Sequence, residues 1–231
     1  MPTVLPGEII PAKHVNLKLG PGLQQEIGGD NLTSVVTTLA GYLQRSANGA
    51  RWWVENSSAK RYVPAPQEPV IGTVVLRLGE SYKVDIGAGQ SALLDGLAFE
   101  GASRRNRPNL KIGSLVYARV SLAHKDMDPE IECFDAQTRK AEGFGELKGG
   151  FVTICSLRMS RNLLDPNYFL LPLLGSRFPL DAAVGVNGRV WVSCKEVKQT
   201  VTVVRCIEAA DSEGGGKGID GIKQLLNTLD L

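Results

Sequence analysis

The stretch PVIGTVVLRLGESYKVDIGAGQSALL, residues 69–94, decides the architecture of the chain. Pro69 to Leu76 is strongly apolar and rich in β-branched residues, as a strand requires. Gly79-Glu80 supplies a turn, and Tyr82, Val84 and Ile86 then alternate with Lys83 and Asp85, the period of two that marks a half-buried strand. Ser91 to Leu94 reads as a third, short strand. Further along, Ser114 to Ala123 alternates again, with Val116, Ala118, Val120 and Leu122 on one face and Tyr117, Arg119 and Ser121 on the other. Glu130 to Phe134 can pair back across the turn Asp126-Met127-Asp128-Pro129. Five short strands in about 70 residues, with a longer insertion between the third and the fourth, have the economy of an OB-type barrel over residues 64–137.

The flanks read differently. Leu5-Pro6-Gly7-Glu8, Gly20-Pro21-Gly22 and Gly28-Gly29-Asp30 are turn sequences, while Ser34 to Gln44 and Arg51 to Glu55 read as strands of a hairpin, so residues 1–63 are β-rich, either as a domain or as an arm without a core of its own. Beyond the barrel, residues 138–211 mix types. Phe151 to Cys155 is a strand, and Arg158 to Leu164 is a helix stopped by Asp165-Pro166. Phe178 to Val184 and Arg189 to Val197 are strands joined by Gly185-Val186-Asn187-Gly188. Val197, Val201, Val204 and Glu208 recur at helical spacing although the run is rich in β-branched residues. Ser212 to Gly218 reads as a flexible linker within residues 212–231, and Ile219, Ile222, Leu225, Leu226 and Leu229 give a short helix an apolar face that has to dock on something. The fold class expected is mainly β, with an α+β C-terminal part.

Composition sets the function classes. The 231 residues carry 26 Lys plus Arg against 24 Asp plus Glu, a net charge of +2, and are 43% apolar. A disordered polyelectrolyte is excluded, and no run approaches the ~20 apolar residues of a spanning helix, so no membrane association is expected. The start lacks the basic and apolar regions of a secretory signal, which gives the expectation of an intracellular protein with the sequons at Asn31 and Asn56 unused. Cys133, Cys155, Cys194 and Cys206 form no CxxC pair and no dense scaffold, and reduced buried thiols are expected. His14 and His124 are the only histidines, which leaves a Cys/His zinc site and histidine acid–base chemistry few candidates.

The insertion between the third and fourth strands holds Ser103-Arg104-Arg105-Asn106-Arg107-Pro108-Asn109, followed by Lys111. Guanidinium groups present forked donors suited to phosphates, and OB barrels commonly offer such loops to nucleic acid, so Arg104, Arg105, Arg107 and Lys111 are the candidate nucleic-acid-binding residues. A solvated basic turn is the alternative. Aromatic stacking partners are scarce: Phe99 and Tyr82 are nearest, and each suits the barrel core equally well. Asp126, Asp128, Glu130 and Glu132 occur at every second position and in an extended chain would project to one side, where they could hold Mg²⁺ for a nuclease; a polar turn entering an edge strand explains the same residues.

Enzyme signatures fail in specific places. Gly214-Gly215-Gly216-Lys217 is followed by Gly218 and lacks the Ser or Thr of a phosphate-binding loop. Gly87-Ala88-Gly89 lacks the third glycine of a dinucleotide fingerprint, and no GxSxG elbow occurs. No cofactor and no metal are therefore expected. Gly185-Val186-Asn187-Gly188 has the GxxG form of a KH loop, but strands flank it and its middle residues are not basic. A structural turn made by Gly185, Asn187 and Gly188 is the favoured reading.

Several long segments in one order carry a resemblance: Val4-Leu5-Pro6-Gly7-Glu8, Lys60-Arg61-Tyr62-Val63-Pro64, Phe99-Glu100-Gly101-Ala102-Ser103 leading into Arg105-Asn106-Arg107-Pro108-Asn109, His124-Lys125-Asp126-Met127, and Gly185-Val186-Asn187-Gly188-Arg189-Val190-Trp191-Val192. Together they resemble the ribosomal RNA-processing protein 40 (exosome component 3) family of eukaryotic RNA exosome cap subunits. The resemblance implies an N-terminal β domain, an S1-type OB barrel and a KH-like domain with a GxNG turn packed inside the protein. It also implies a non-catalytic subunit that binds single-stranded RNA, sits with other cap subunits on RNase PH-like ring subunits, and serves rRNA processing and RNA degradation in nucleus, nucleolus and cytoplasm. The departures are at the ends, where the chain opens almost directly on Leu5-Pro6-Gly7-Glu8 and carries its own Gly-rich linker and tail. A free-standing S1/KH RNA-binding factor acting on ribosomes and a metal-dependent nuclease are the competing expectations.

Overall fold

The computed structural model describes residues 2–10, 18–27, 33–46, 49, 51–55, 61–124, 126–211 and 216–229. The Gly28-Gly29-Asp30 turn, both sequons, His14 and most of the Ser212 to Gly218 linker lie outside the described residues. The chain divides into two units, Met1–Ala59 and Lys60–Leu231.

The first unit consists of short strands β1 (Thr3–Val4), β2 (Ile9–Ile10), β3 (Lys18–Leu19), β4 (Leu23–Ile27), β5 (Thr33–Thr37), β6 (Gly41–Arg45) and β7 (Arg51–Glu55). They form two sheets, β1-β6-β7-β3 and β2-β5-β4. The segment expected as one strand from Ser34 to Gln44 is split between them. The amide of Thr38 donates to the carbonyl of Gly22 at 2.9 Å, which draws the chain away from β5. At Gly41, a Cβ would lie 2.2 Å from the Glu55 carbonyl oxygen, so β6 can approach β7 only with glycine there. The β6–β7 pairing is the hairpin the sequence suggests. The Leu-Pro-Gly-Glu turn is tied to Thr37, which is 1% exposed: Gly7 N–H donates to its carbonyl at 2.7 Å and Glu8 N–H to its Oγ1 at 3.1 Å.

In the second unit, β8 (Pro69–Leu78), β9 (Ser81–Asp85), β10 (Ala92–Phe99), β11 (Leu115–Leu122) and β12 (Glu130–Cys133) run in the order β12-β10-β9-β8-β11, and β11 pairs β12 to close a five-stranded barrel. β13 (Gly145–Leu147) extends it along β11, beyond residue 137. The alternating residues Val84, Ile86, Val116, Ala118 and Val120 fill the interior at 0% exposure. Gly72 makes room for them, since a Cβ there would stand 2.2 Å from a Val84 methyl. Two expectations fail. The third strand continues to Phe99 instead of stopping at Leu94, because Gly96 N–H donates to the Glu80 carbonyl at 2.9 Å and holds the chain beside the β8–β9 reversal. Leu122, placed by alternation on the face of Val116, Ala118 and Val120, is exposed at the strand end, while Arg119 keeps to the opposite face and is 6% exposed under its partners.

The remainder is β14 (Phe151–Ile154), α1 (Leu157–Leu164), α2 (Leu170–Gly175), β15 (Leu180–Gly185), β16 (Arg189–Cys194), α3 (Val197–Ala210) and α4 (Ile219–Leu229). The antiparallel sheet β14-β16-β15 is covered on one face by the helices, where Val190 and Val192 join Val203, Ile207, Ile222 and Leu226 in one core. Its other face places Ala183 and Trp191 against Ile71 of β8. Ser156 caps α1 by accepting from Met159 N–H at 3.0 Å, and Asp211 at the end of α3 binds Ser156 in turn. The tail helix therefore docks on its own chain, through Ile222 and Leu226. α3 is helical as its spacing suggests, but its inner face matches the expected one only at Val204. Thr202, Val203, Val204, Cys206 and Ile207 are buried, whereas Val197 and Val201 are exposed.

Candidate nucleic-acid interface

The insertion between β10 and β11 is a free tip on a fixed base. Ser103 and Asn106 exchange backbone hydrogen bonds at 3.0 Å, and the reversal holds Arg104 and Arg105 exposed at its tip. Neither arginine has an ion pair among the described residues, and Lys111 is likewise exposed and unpaired. Arg107 is placed differently, with Nη1 2.8 Å from Oε1 of Glu80. The base is clasped to the barrel. The Tyr82 hydroxyl donates to the Pro108 carbonyl at 2.8 Å and accepts from Leu110 N–H at 3.4 Å, and Arg77 Nη1 donates to Asn109 Oδ1 at 2.7 Å. Leu110 then enters the barrel core at 3% exposure. Tyr82 is 4% exposed and offers no free ring face for a base, while Phe99 is half-buried against the same core.

The four acidic residues that alternate in sequence do not converge. Asp126 lies 3.8 Å from His124 Nδ1, Asp128 lies 3.8 Å from Lys83 Nζ, and Glu132 accepts from Arg119 Nη2 at 2.8 Å. Glu130 is exposed. The turn through Pro129 breaks the extended geometry that would align them, and among the described residues no group of three His, Cys, Asp or Glu side chains could hold a metal. Alternation gave the face of Arg119 but not its covering: its guanidinium also donates to Gln67 Oε1 at 2.9 Å and, through Nε, to the Phe134 carbonyl at 3.4 Å.

The turn Gly185-Val186-Asn187-Gly188 joins β15 to β16 and points inward against the barrel. Asn187 is 8% exposed. Its Nδ2 donates to the carbonyls of Ile71 at 2.8 Å and Ile86 at 2.9 Å, and its Oδ1 accepts from Ile71 N–H at 3.2 Å. Val186 N–H donates to the Pro69 carbonyl at 2.8 Å. Gly188 has φ +76°, and a Cβ there would stand 2.6 Å from the Cys155 carbonyl oxygen. Gly185 has no positive φ, but a Cβ would meet Asn187 Oδ1 at 2.2 Å and displace the amide. Arg189 completes the joint: Nη1 donates to the Asp85 carbonyl and Nη2 to the Asp85 carboxylate, each at 2.7 Å. Burial raises the Asp85 carboxyl, but the Arg189 hydrogen bond, the Gly87 N–H and the Arg189 charge outweigh it and hold the group below its ordinary value. Arg189 had no signal of its own in the sequence, since an arginine after a turn reads as solvated.

The chain matches three family models in sequence order: "Exosome complex exonuclease Rrp40 N-terminal domain" over residues 17–61, "Exosome complex component RRP40, S1 domain" over 62–145 and a KH domain over 150–198. Among curated relatives, the exosome complex component rrp40 of Schizosaccharomyces pombe is 44% identical over 97% of this chain and 94% of its own length. RRP40 of Drosophila melanogaster is 40% identical over 91% and 90%, and RRP40 of Homo sapiens 37% over 86% and 72%. A crystal structure described as an exosome complex RNA-binding protein shares the fold with a TM-score of 0.60 at 22% identity, over 74% of this chain and 95% of that one. By the extent and order of these matches, the chain belongs to the family of exosome complex component RRP40.

Proposed function

We propose that this chain is a non-catalytic RNA-binding cap subunit of an RNA exosome, which receives single-stranded RNA and threads it toward the 3′-to-5′ exoribonucleases of the complex in rRNA processing and RNA decay. The observation that carries this reading is the near full-length similarity to relatives named as exosome components, with S1 and KH domains matched in order. The exposed Arg104-Arg105 turn beside Lys111, on a clasped loop of an S1 barrel, supports an RNA surface there. The separate partners of Asp126, Asp128 and Glu132 support a chain that holds RNA and leaves its cleavage to other subunits. RNase PH-like ring subunits and the other cap subunits are its proposed partners, and nucleus, nucleolus and cytoplasm its proposed locations.

Affinity purification of the tagged full chain tests the assembly. A stoichiometric ring complex, with crosslinks to ring subunits from residues 1–60 or 138–211, supports the reading; copurification with ribosomes alone would replace it with a free-standing RNA-binding factor. For RNA, three cationic contacts on a single strand give a slope of log K against log salt of about −2, so binding is weak and has little sequence preference.

A further inference from the structure

A carboxylate is aimed at the basic turn from the neighbouring strand reversal. Glu80 lies between β8 and β9, and its Oε1 stands 2.8 Å from Nη1 of Arg107; the two side chains are 77% and 22% exposed. The arginine stem runs along the wall of β10, with its Cδ 3.6 Å from where a Cβ of Gly96 would be. Its Nε is buried with no hydrogen-bond partner among the described residues. The same wall is fixed to Glu80 by the Gly96 N–H bond at 2.9 Å. Arg107 is thus gripped at its stem and at its head, while Arg104 and Arg105 in the same loop have no ion pair among the described residues.

We infer that Arg107 is a positioning residue and not a phosphate ligand: the Glu80–Arg107 pair is a strut that sets the direction in which Arg104 and Arg105 project, and Glu80 keeps Arg107 out of the set of cations available to RNA. The inference rests on the reading of this loop as an RNA surface. A guanidinium already matched by a carboxylate brings almost no net charge to a phosphate, and only unmatched cations contribute to counterion release. Arg104, Arg105 and Lys111 remain as the phosphate-binding set. The glycine at position 96 is part of the device, because a side chain there would meet both the Glu80 carbonyl, 2.6 Å from its Cβ, and the arginine stem.

The test is a fluorescence-anisotropy titration of the full chain with a fluorescein-labelled oligouridylate over a salt series. Each phosphate contact on a single strand contributes about 0.7 to the slope. Arg104→Ala and Arg105→Ala should each make the slope shallower by about 0.7. Arg107→Ala should weaken binding severalfold while the slope holds, because the tip loses its orientation and no ion pair with RNA is lost. Glu80→Gln breaks the same strut by changing only an exposed side chain; the tip loses its orientation as in Arg107→Ala, but the slope should steepen by about 0.7 as the released guanidinium joins the RNA contacts, a change that a purely structural pair would not produce. A slope made shallower by Arg107→Ala as much as by Arg105→Ala, or left unmoved by Glu80→Gln, overturns the strut and leaves the RNA surface standing. Slopes unmoved by Arg104→Ala and Arg105→Ala overturn the RNA surface and the strut with it. Should Arg107→Ala fail to fold, the Glu80→Gln slope decides alone.

Discussion

Two short reversals in the second unit, Gly185 to Gly188 and Ser103 to Asn106, show how similar turn chemistry serves opposite ends. Each is closed by a backbone hydrogen bond across four residues, and each brings an amide and an arginine to one place. In the first, Asn187 and Arg189 satisfy buried carbonyls and a carboxylate, and both polar atoms of the Asn187 amide and both Nη atoms of Arg189 have partners in the barrel. In the second, Arg104 and Arg105 reach solvent. A buried polar group stabilises only when its partners are complete, whereas a cation meant for a ligand must stay unmatched until the ligand arrives. The two turns should therefore separate cleanly in experiment, one moving stability and the other moving RNA binding.

The largest effect is expected at Asn187→Ala, which strands the Ile86 carbonyl and the Ile71 N–H and leaves the Ile71 carbonyl only a 3.5 Å bond from Arg189 Nη1, and should cost about 3 kcal/mol in urea unfolding of the full chain. Gly188→Asp should cost a similar amount, because it adds a Cβ against the Cys155 carbonyl in a left-handed conformation. A midpoint within error of the parent for both variants would break the contrast. Asp85→Ala removes the carboxylate partner of Arg189 and should cost about 1 to 2 kcal/mol, less than at Asn187 since Asp85 is half exposed.

The pH dependence sharpens the same point. The folded Asp85 carboxyl sits below its unfolded value, so the stability it adds is complete above about pH 4 and fades as pH falls through the lower folded value. Acid unfolding of Asp85→Asn should then show a flatter loss of stability in that window than the parent; parallel curves would remove Asp85 from the account. The smallest effect on stability belongs to the exposed turn. Arg104→Ala combined with Arg105→Ala should shift unfolding by less than about 0.5 kcal/mol per site while RNA binding weakens. Melting lowered as much as by Asn187→Ala would mean the loop is structural.

The barrel was legible because its interior positions alternate without interruption from Tyr82 to Ile86 and from Val116 to Val120, and burial acts on that period directly. The same rule failed at Leu122, where the strand runs out of barrel, and it could not show that Arg119, on the face opposite Ala118 and Val120, is covered by three partners. α2 gave no signal, being six residues long with Pro172 in its first turn, a position a helix tolerates but a periodic pattern does not reveal. On α3, Val197 and Val201 are as apolar as the residues that are buried, so spacing found the helix but only Val204 of its inner face. At the candidate interface the arginines were visible as a run, yet their division into a paired Arg107 and an unpaired Arg104 and Arg105 depends on Glu80, more than twenty residues earlier in the chain.

The Asn187 side chain links backbone positions 116 and 101 residues away, and this has a kinetic meaning. Closing a loop of that length is entropically slow to be repaid, so the joint should form late in folding, after the barrel strands and the β15–β16 reversal have each taken shape. Once closed, it makes the barrel and the helical layer unfold as one cooperative transition in place of two. A fragment cut to the barrel alone at Leu147 would lack Asn187 and Arg189, leave the Ile71 and Ile86 carbonyls to water and bare Ile71 on its flank, and its melting would report an opened barrel rather than the barrel of the intact chain.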